Sequence, residues 1–228
     1  MDGVLFSSGG RMSEPAIYLG PSLDLAVAKT FLHATFLPPI RRGDLAKLGD
    51  EIEIVGIVDG NFFQDLSVST MEIVALLDRG IRVFGASSIG ALRAVETNIY
   101  GMIGVGEIYQ WFRDGLVDAD DEVALTYDPL TYQQTSEALI NIRFALRDAV
   151  VAHQIEETRA AEVIEEIRKI YFPFRSFEIV YQLCPGVAQF IKTRQSNRKR
   201  DDAKLLLQTI ANTIREGQEV VPLRSRSS

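Results

Sequence analysis

Two adjacent serines, Ser87 and Ser88, sit in the run Gly85-Ala86-Ser87-Ser88-Ile89-Gly90-Ala91-Leu92. The apolar stretch Ile81–Phe84 precedes them, and Ala91, Leu92 and Val95 follow at helical spacing. A strand, a tight turn and a helix are therefore expected, with the serines in the turn. The pattern resembles a relaxed nucleophile elbow centred on Ser88, with Gly90 two residues on and Ala86 where the strict motif carries glycine. Such a turn aims the free N–H groups of the first helical turn at one point, a site for an anion or an oxyanion. Ser87, Ile89 and Gly90 would then line the place where substrate rests. The competing reading is a serine that only caps the helix. Two serines in a row let one cap while the other faces a cleft.

A serine nucleophile needs a base, most often histidine. The chain has two, His33 and His153, neither at a spacing that marks it as a partner. The candidate carboxylates are Asp59, where another apolar run ends, and Glu72 and Glu96 on helices beside the crevice. Arg93, one turn beyond Ser88, could hold a substrate carboxylate or pair with Glu96 three residues on. Two further loops follow apolar runs: Gly20-Pro21-Ser22, and Asp59-Gly60-Asn61-Phe62. Open parallel sheets bind ligands outside the carboxyl ends of their strands, so these loops are expected to meet the Ser88 turn in one crevice.

The elements that must position these residues are legible from pattern. Ala16–Leu19 reads as a strand, followed by a helix to about Leu32 that Ser22 or Asp24 could cap. Pro38-Pro39 keeps the neighbouring Phe36-Leu37 out of any central strand. Glu51–Val58 ends as a continuous apolar run, as in a buried parallel strand. Val68, Met71, Val74, Ala75 and Leu77 mark a helix closed by Gly80. Beyond about Asp128 only helical periodicity remains. The fold class expected is α/β, a parallel sheet with flanking helices in the N-terminal half and a helical C-terminal half packed on it. The boundaries expected are a disordered leader at 1–14, an α/β core at 15–128, helices at 129–222 and a disordered tail at 223–228.

Three stretches look like sites but read otherwise. Gly101-Met102-Ile103-Gly104-Val105-Gly106 has the wrong glycine order for a dinucleotide fingerprint, and reads as a tight turn before a helix over Glu107–Phe112. Asp118–Glu122 lacks calcium-loop spacing and reads as a solvated loop or partner surface. Arg194, Arg198, Lys199 and Arg200 read as a solvated turn before the last helix.

Composition narrows the classes further. The 228 residues carry a net charge of −7, which argues against a nucleic-acid partner. One cysteine, Cys184, and two histidines leave no cysteine-based zinc site, and no metal is expected. No apolar run reaches the roughly 18–20 residues of a membrane span, and a cytoplasmic protein is expected.

Six blocks taken in order resemble one family: Y-L-G-P-S, L-P-P-I-R-R-G-D, I-V-D-G-N-F, E-I-V-A-L-L-D-R-G-I-R-V-F-G-A-S-S-I-G-A-L-R-A-V-E, Y-G-M-I-G-V-G and D-D-E-V-A. Together they resemble the TfuA-like proteins from about Ala16 to Ala124. The resemblance implies an accessory role beside a YcaO enzyme in peptide thioamidation, as in the biosynthesis of ribosomal peptide natural products. It implies hydrolysis of a thiocarboxylated, ThiS-type ubiquitin-like carrier to release sulfide, with a non-catalytic adaptor that docks carrier or enzyme as the alternative. The YcaO partner uses ATP, and no cofactor is implied for this chain; self-association stays open. In that reading Ser88 or an activated water attacks the carbonyl of the carrier tail, with Asp59 or Glu72 as base. Ser87, Ile89, Gly90, Arg93, Gly20, Pro21, Ser22 and Gly60 hold the tail. The chain departs from the family pattern at Thr70 and Tyr127, where histidine is common, and at Ile89, where methionine is usual.

Overall fold

The computed structural model describes residues 13–62 and 65–219. The segments expected to be disordered lie outside these residues, apart from Ser13 and Glu14. Five short strands form one sheet: β1 (Ala16–Tyr18), β2 (Thr35–Leu37), β3 (Ile54–Ile57), β4 (Arg82–Ala86) and β5 (Ile103–Val105). Their order is β2-β1-β3-β4-β5 and every pairing is parallel. The chain runs outward in one direction from β1 and in the other from β3. The switch point where ligands bind in such sheets therefore lies between β1 and β3.

Both faces are covered, as parallel strands require. Helices α2 (Thr70–Asp78), α3 (Ile89–Thr97) and α4 (Glu107–Arg113) pack Ile73, Leu76, Ile89, Leu92 and Ile108 against Val55, Ile57 and Val83. On the opposite face, α1 (Leu25–Phe31) and the last helix, α9 (Arg198–Glu219), cover Ile17, Ile54 and Phe84 with Ala28, Leu206, Leu207 and Ile210. The alternation along β3 decides the arrangement: Ile54 and Val58 face α9, while Val55 and Ile57 face α2 and α3. The helices α5 (Leu139–Val151), α6 (Glu157–Arg168), α7 (Phe177–Leu183) and α8 (Ala188–Arg194) share a core of Leu139, Ile142, Leu146, Val163, Ile167 and Val180. The α/β class and the packed helical half are as the sequence predicts. The last helix is more intimate than expected, for it forms part of the sheet's own core. Among the described residues, no helix is long and apolar enough to cross a membrane.

The glycine-rich stretch holds more than a turn. Ile103–Val105 is the edge strand β5, flanked by Gly101 at φ 108° and Gly106 at φ 95°. Three residues are too few for periodicity to reveal a strand. The Asp202 side chain, reaching from α9, caps α4: its carboxylate accepts the Ile108 N–H at 2.8 Å and the Glu107 N–H at 3.2 Å.

Helix α3 lies unusually close to the sheet. A Cβ on Gly90 would stand 1.8 Å from the Ile57 carbonyl oxygen, and one on Gly85 would stand 2.1 Å from the Gly90 oxygen. Both obstacles are backbone atoms that cannot step aside. Gly90→Ala is expected to destabilise the fold by about 3 kcal/mol, at the upper end for overpacking, as read by chemical denaturation.

Candidate active site

The three loops do meet. Asp59, just past β3, accepts the Gly20 N–H at 2.9 Å and the Ser22 N–H at 3.0 Å on one oxygen, and the Ser22 hydroxyl at 2.6 Å on the other. Ser87 Oγ donates in turn to Ser22 Oγ at 2.9 Å. Asp59, Ser22 and Ser87 are all buried, so these bonds knit the ends of β1, β3 and β4 into one floor. Gly20 is needed for the approach, since a Cβ there would lie 2.4 Å from Pro39 Cγ. Three donors on its two oxygens hold the Asp59 side chain in place beneath the site.

The turn is an elbow in its backbone. Ser87 has φ 67°, a left-handed conformation that a serine adopts only when the surroundings hold it there. Ser88 takes the position before the first residue of α3, yet its side chain makes no capping bond. The capping alternative is thus excluded for both serines. Ser88 Oγ instead receives a hydrogen bond from Lys199 Nζ at 3.1 Å. That amine also donates to the Val123 carbonyl.

Lys199 is fully buried. Burial, which disfavours the ammonium, pushes its pKa down from 10.5 to about 8, although the negative charges of Asp59 and Glu137 pull upward. An amine in this range is partly neutral near physiological pH. It can take the proton of the serine it touches, the arrangement by which a Ser–Lys pair replaces Ser–His.

Above the pair lies a cavity of about 480 Å³. Asp59, Ser88 and Lys199 form its floor; Gly60, Asn61 and Phe62 form one wall, Ala124–Tyr127 a second and Tyr171–Pro173 a third. Two backbone N–H groups close to the cavity make no bond among the described residues that competes for them. The Gly60 N–H has no acceptor among the described residues, and Gly60 packs against Ile89. Ile89 opens α3, so its N–H belongs to the first turn, which a helix leaves without intrahelical partners. The Tyr171–Pro173 wall is anchored by Arg175. This buried guanidinium binds the carbonyls of Ile170 and Arg168, and both the carbonyl and the carboxylate of Asp121, the latter at 2.6 Å.

Pro21 borders this cavity and also a larger groove of about 870 Å³. The groove runs past Leu37 and Pro38 to the 130–134 loop, whose Gln134 donates to the Pro21 carbonyl at 3.2 Å.

Of the expected residues, Ser87, Ile89 and Gly90 are buried and do not line the cavity, Gly20 and Ser22 border only the groove, and Glu72 and Arg93 stand elsewhere. Glu72 closes a capping box on α2, bonding the Ser69 N–H and hydroxyl at 2.9 Å each and the Gly43 N–H at 2.6 Å. Arg93 pairs with Glu96 at 2.6 Å and binds the Val68 carbonyl and Ser67 hydroxyl. Neither lines the cavity. His33 is exposed beside Glu14, and His153 lies exposed at the end of α5. Of the two positions expected to depart from the family pattern, Tyr127 lines the cavity and Thr70 opens α2 away from it.

Two charge runs expected to be solvated are partly internal. In Asp118–Glu122, Glu122 is buried against Arg143 in a two-pronged pair at 2.7 and 2.8 Å, and Asp121 holds Arg175. In the basic run, Lys199 belongs to the first turn of α9 and points inward. The charge pattern hid it, because its neighbours Arg198 and Arg200 do reach the surface side. The available signal was its place at a helix start, one turn before Ala203 and on the same face as the apolar period of Ala203, Leu206, Leu207 and Ile210.

The family described as TfuA-like protein matches residues 59–176, just over half of the chain. The chain belongs to the TfuA-like family. The matched stretch of this TfuA-like protein holds Asp59, the serine turn, Glu137 and Arg175; Gly20–Ser22 and Lys199 lie outside it. No curated protein matches the chain.

Proposed function

We propose that this TfuA-like protein is an accessory hydrolase of YcaO-dependent peptide thioamidation, freeing sulfide from the thiocarboxylated C-terminus of a ThiS-type carrier. The observation that carries the reading is the bond between Lys199 Nζ and Ser88 Oγ on the floor of a cavity. Neutral Lys199 takes the Ser88 proton as Oγ bonds to the thiocarboxylate carbonyl carbon. The N–H groups of Gly60 and Ile89 receive the negative oxygen. Lys199 passes that proton to sulfur as the C–S bond breaks, so hydrosulfide leaves, the amine is neutral again, and the acyl group stays on Ser88 as an ester. Water attacks that ester, its proton passing to Lys199 and on to Ser88 Oγ as the carboxylate departs. Hydrosulfide leaves readily, so a modest base suffices.

The shape supports a polypeptide tail as the substrate. The groove beyond Pro21 offers an approach for extended chain, while the cavity accepts the reactive end. The carrier and the YcaO enzyme are the partners of this reading, and the reaction needs no cofactor. Cytoplasmic location is part of the same proposal.

The covalent step has its own signature. Acid-quenched protein, taken during turnover of carrier thiocarboxylate, should carry a carrier-derived acyl ester on the Ser88 peptide by mass spectrometry. Turnover without any Ser88 adduct under rapid quench would leave water as the attacking group. Complex formation with carrier or YcaO partner but no acceleration of hydrolysis would favour the adaptor.

A further inference from the structure

Lys199 owes its place to residues outside the cavity. It sits one residue into α9, where backbone N–H groups need acceptors from elsewhere. Asn197 supplies one, accepting the Arg200 N–H at 2.9 Å. The acceptor for the Lys199 N–H is Asn141 Oδ1, reaching across from α5 at 3.1 Å. Asn141 is buried, and its amide nitrogen donates to Glu137 Oε1 at 2.8 Å. Glu137 Oε1 also accepts the Ala138 N–H at 3.0 Å, and the Glu137 N–H donates to the Arg175 carbonyl at 2.8 Å. A continuous path of hydrogen bonds thus joins the anchored cavity wall to the backbone of Lys199, whose side-chain amine lies on the floor.

We infer that Glu137 and Asn141 are a positioning pair for Lys199, with Asn141 fixing where the amine stands and Glu137 holding part of its charge. The inference deepens the reading of Lys199 as base and rests on it. Its footing is the geometry: a half-buried carboxylate bonded to a buried amide, which in turn holds the backbone of the buried lysine that touches Ser88. Apolar residues at both places would fill the same space at lower cost if nothing but packing were served.

The charged groups around the pair agree in direction. Lys199 is faced by Asp59 from the end of β3 and by Glu137 from the start of α5, both favouring its charged form. Glu137 is faced by Lys199 and by Glu178 on α7. Burial pushes the Glu137 carboxyl up, and the bonds from Asn141 and Ala138 together with Lys199 draw it back. Replacing this carboxylate by an amide of equal shape removes a negative charge from beside the amine.

The test reads Lys199 directly. The full chain is labelled with ¹³C at lysine Cε and titrated by NMR, with the Lys199 resonance assigned by its loss in Lys199→Met. In Glu137→Gln the Lys199 midpoint should fall from that of the unmodified chain by about half a pH unit or more, the scale of losing one partly screened charge. In Asn141→Ala the rate constant for sulfide release should drop at least tenfold with KM unchanged and the serine hydroxyl no longer held. An unmoved Lys199 midpoint in folded Glu137→Gln would overturn the electrostatic role. An unmoved rate in Asn141→Ala would overturn the positioning role. Because the NMR midpoint needs no substrate, it stands or falls separately from the hydrolase reading: a shifted midpoint in a protein that releases no sulfide would sink the hydrolase and keep the pair.

Discussion

Lys199→Met should abolish turnover while leaving the fold intact or firmer at neutral pH. The loss of rate follows from the loss of the base, an effect of roughly 10²–10⁴-fold. The stability effect has the opposite sign, and burial sets it. A buried lysine held near 8 in the native state, against 10.5 when unfolded, binds fewer protons folded than unfolded between those values. Stability of the parent chain should therefore rise with pH from about 8 to about 10.5, and below 8 the full penalty applies. A shift of that size corresponds to about 3 kcal/mol. Methionine carries no such penalty, though it leaves the Val123 carbonyl without its donor. Urea denaturation at pH 7 should show the variant no less stable than the parent, with its relative advantage shrinking towards pH 10. A variant strongly destabilised at pH 7 would mean that the lysine is held charged by its neighbours at little cost.

The parent's own pH–rate profile follows from the same buried amine. Only neutral Lys199 accepts the Ser88 proton, so kcat/KM should climb as pH rises through about 8 and then level. A profile flat from pH 6 to 9 would remove Lys199 from the proton transfer.

Arg175→Met should cost about 3 kcal/mol, chiefly from buried carbonyls left without donors at about 1–3 kcal/mol each, because the half-exposed Asp121 carboxylate can turn to water. Arg175 is among the most deeply buried side chains of the chain, and all its bonds go to carbonyls or to Asp121. Its removal leaves three carbonyls and a carboxylate short of donors and frees the Tyr171–Pro173 wall. The expected readouts are a lowered urea midpoint with an unchanged slope, and a raised KM in whatever fraction remains folded. A KM unchanged in a destabilised protein would show that this wall takes no part in holding substrate.

The floor of the site was legible because local pattern encodes it. Strand ends followed by small or polar residues placed Gly20–Ser22, Asp59 and Ser87–Ser88 at one edge of a parallel sheet, and the bonds among Asp59, Ser22 and Ser87 join them. The proposed base was not legible. Lys199 is 111 residues from Ser88 in sequence and surrounded by surface arginines, so only the return of α9 across the sheet brings it inward. Glu72 misled for the opposite reason. Its place on a helix near the crevice fits a base, but Ser69 three residues earlier makes it the closing member of a capping box. The serine-to-glutamate spacing carried that signal. Arg175 and Glu137 gave none, since a charged residue that folds inward looks like any other until its partners are known.

Sulfide release from carrier thiocarboxylate measures the central claim most directly, with the parent chain, Ser88→Ala and Lys199→Met compared as folded proteins at pH 8. The account predicts steady release by the parent and a fall of at least a hundredfold in both variants. Release by both variants at the parent's rate would contradict it.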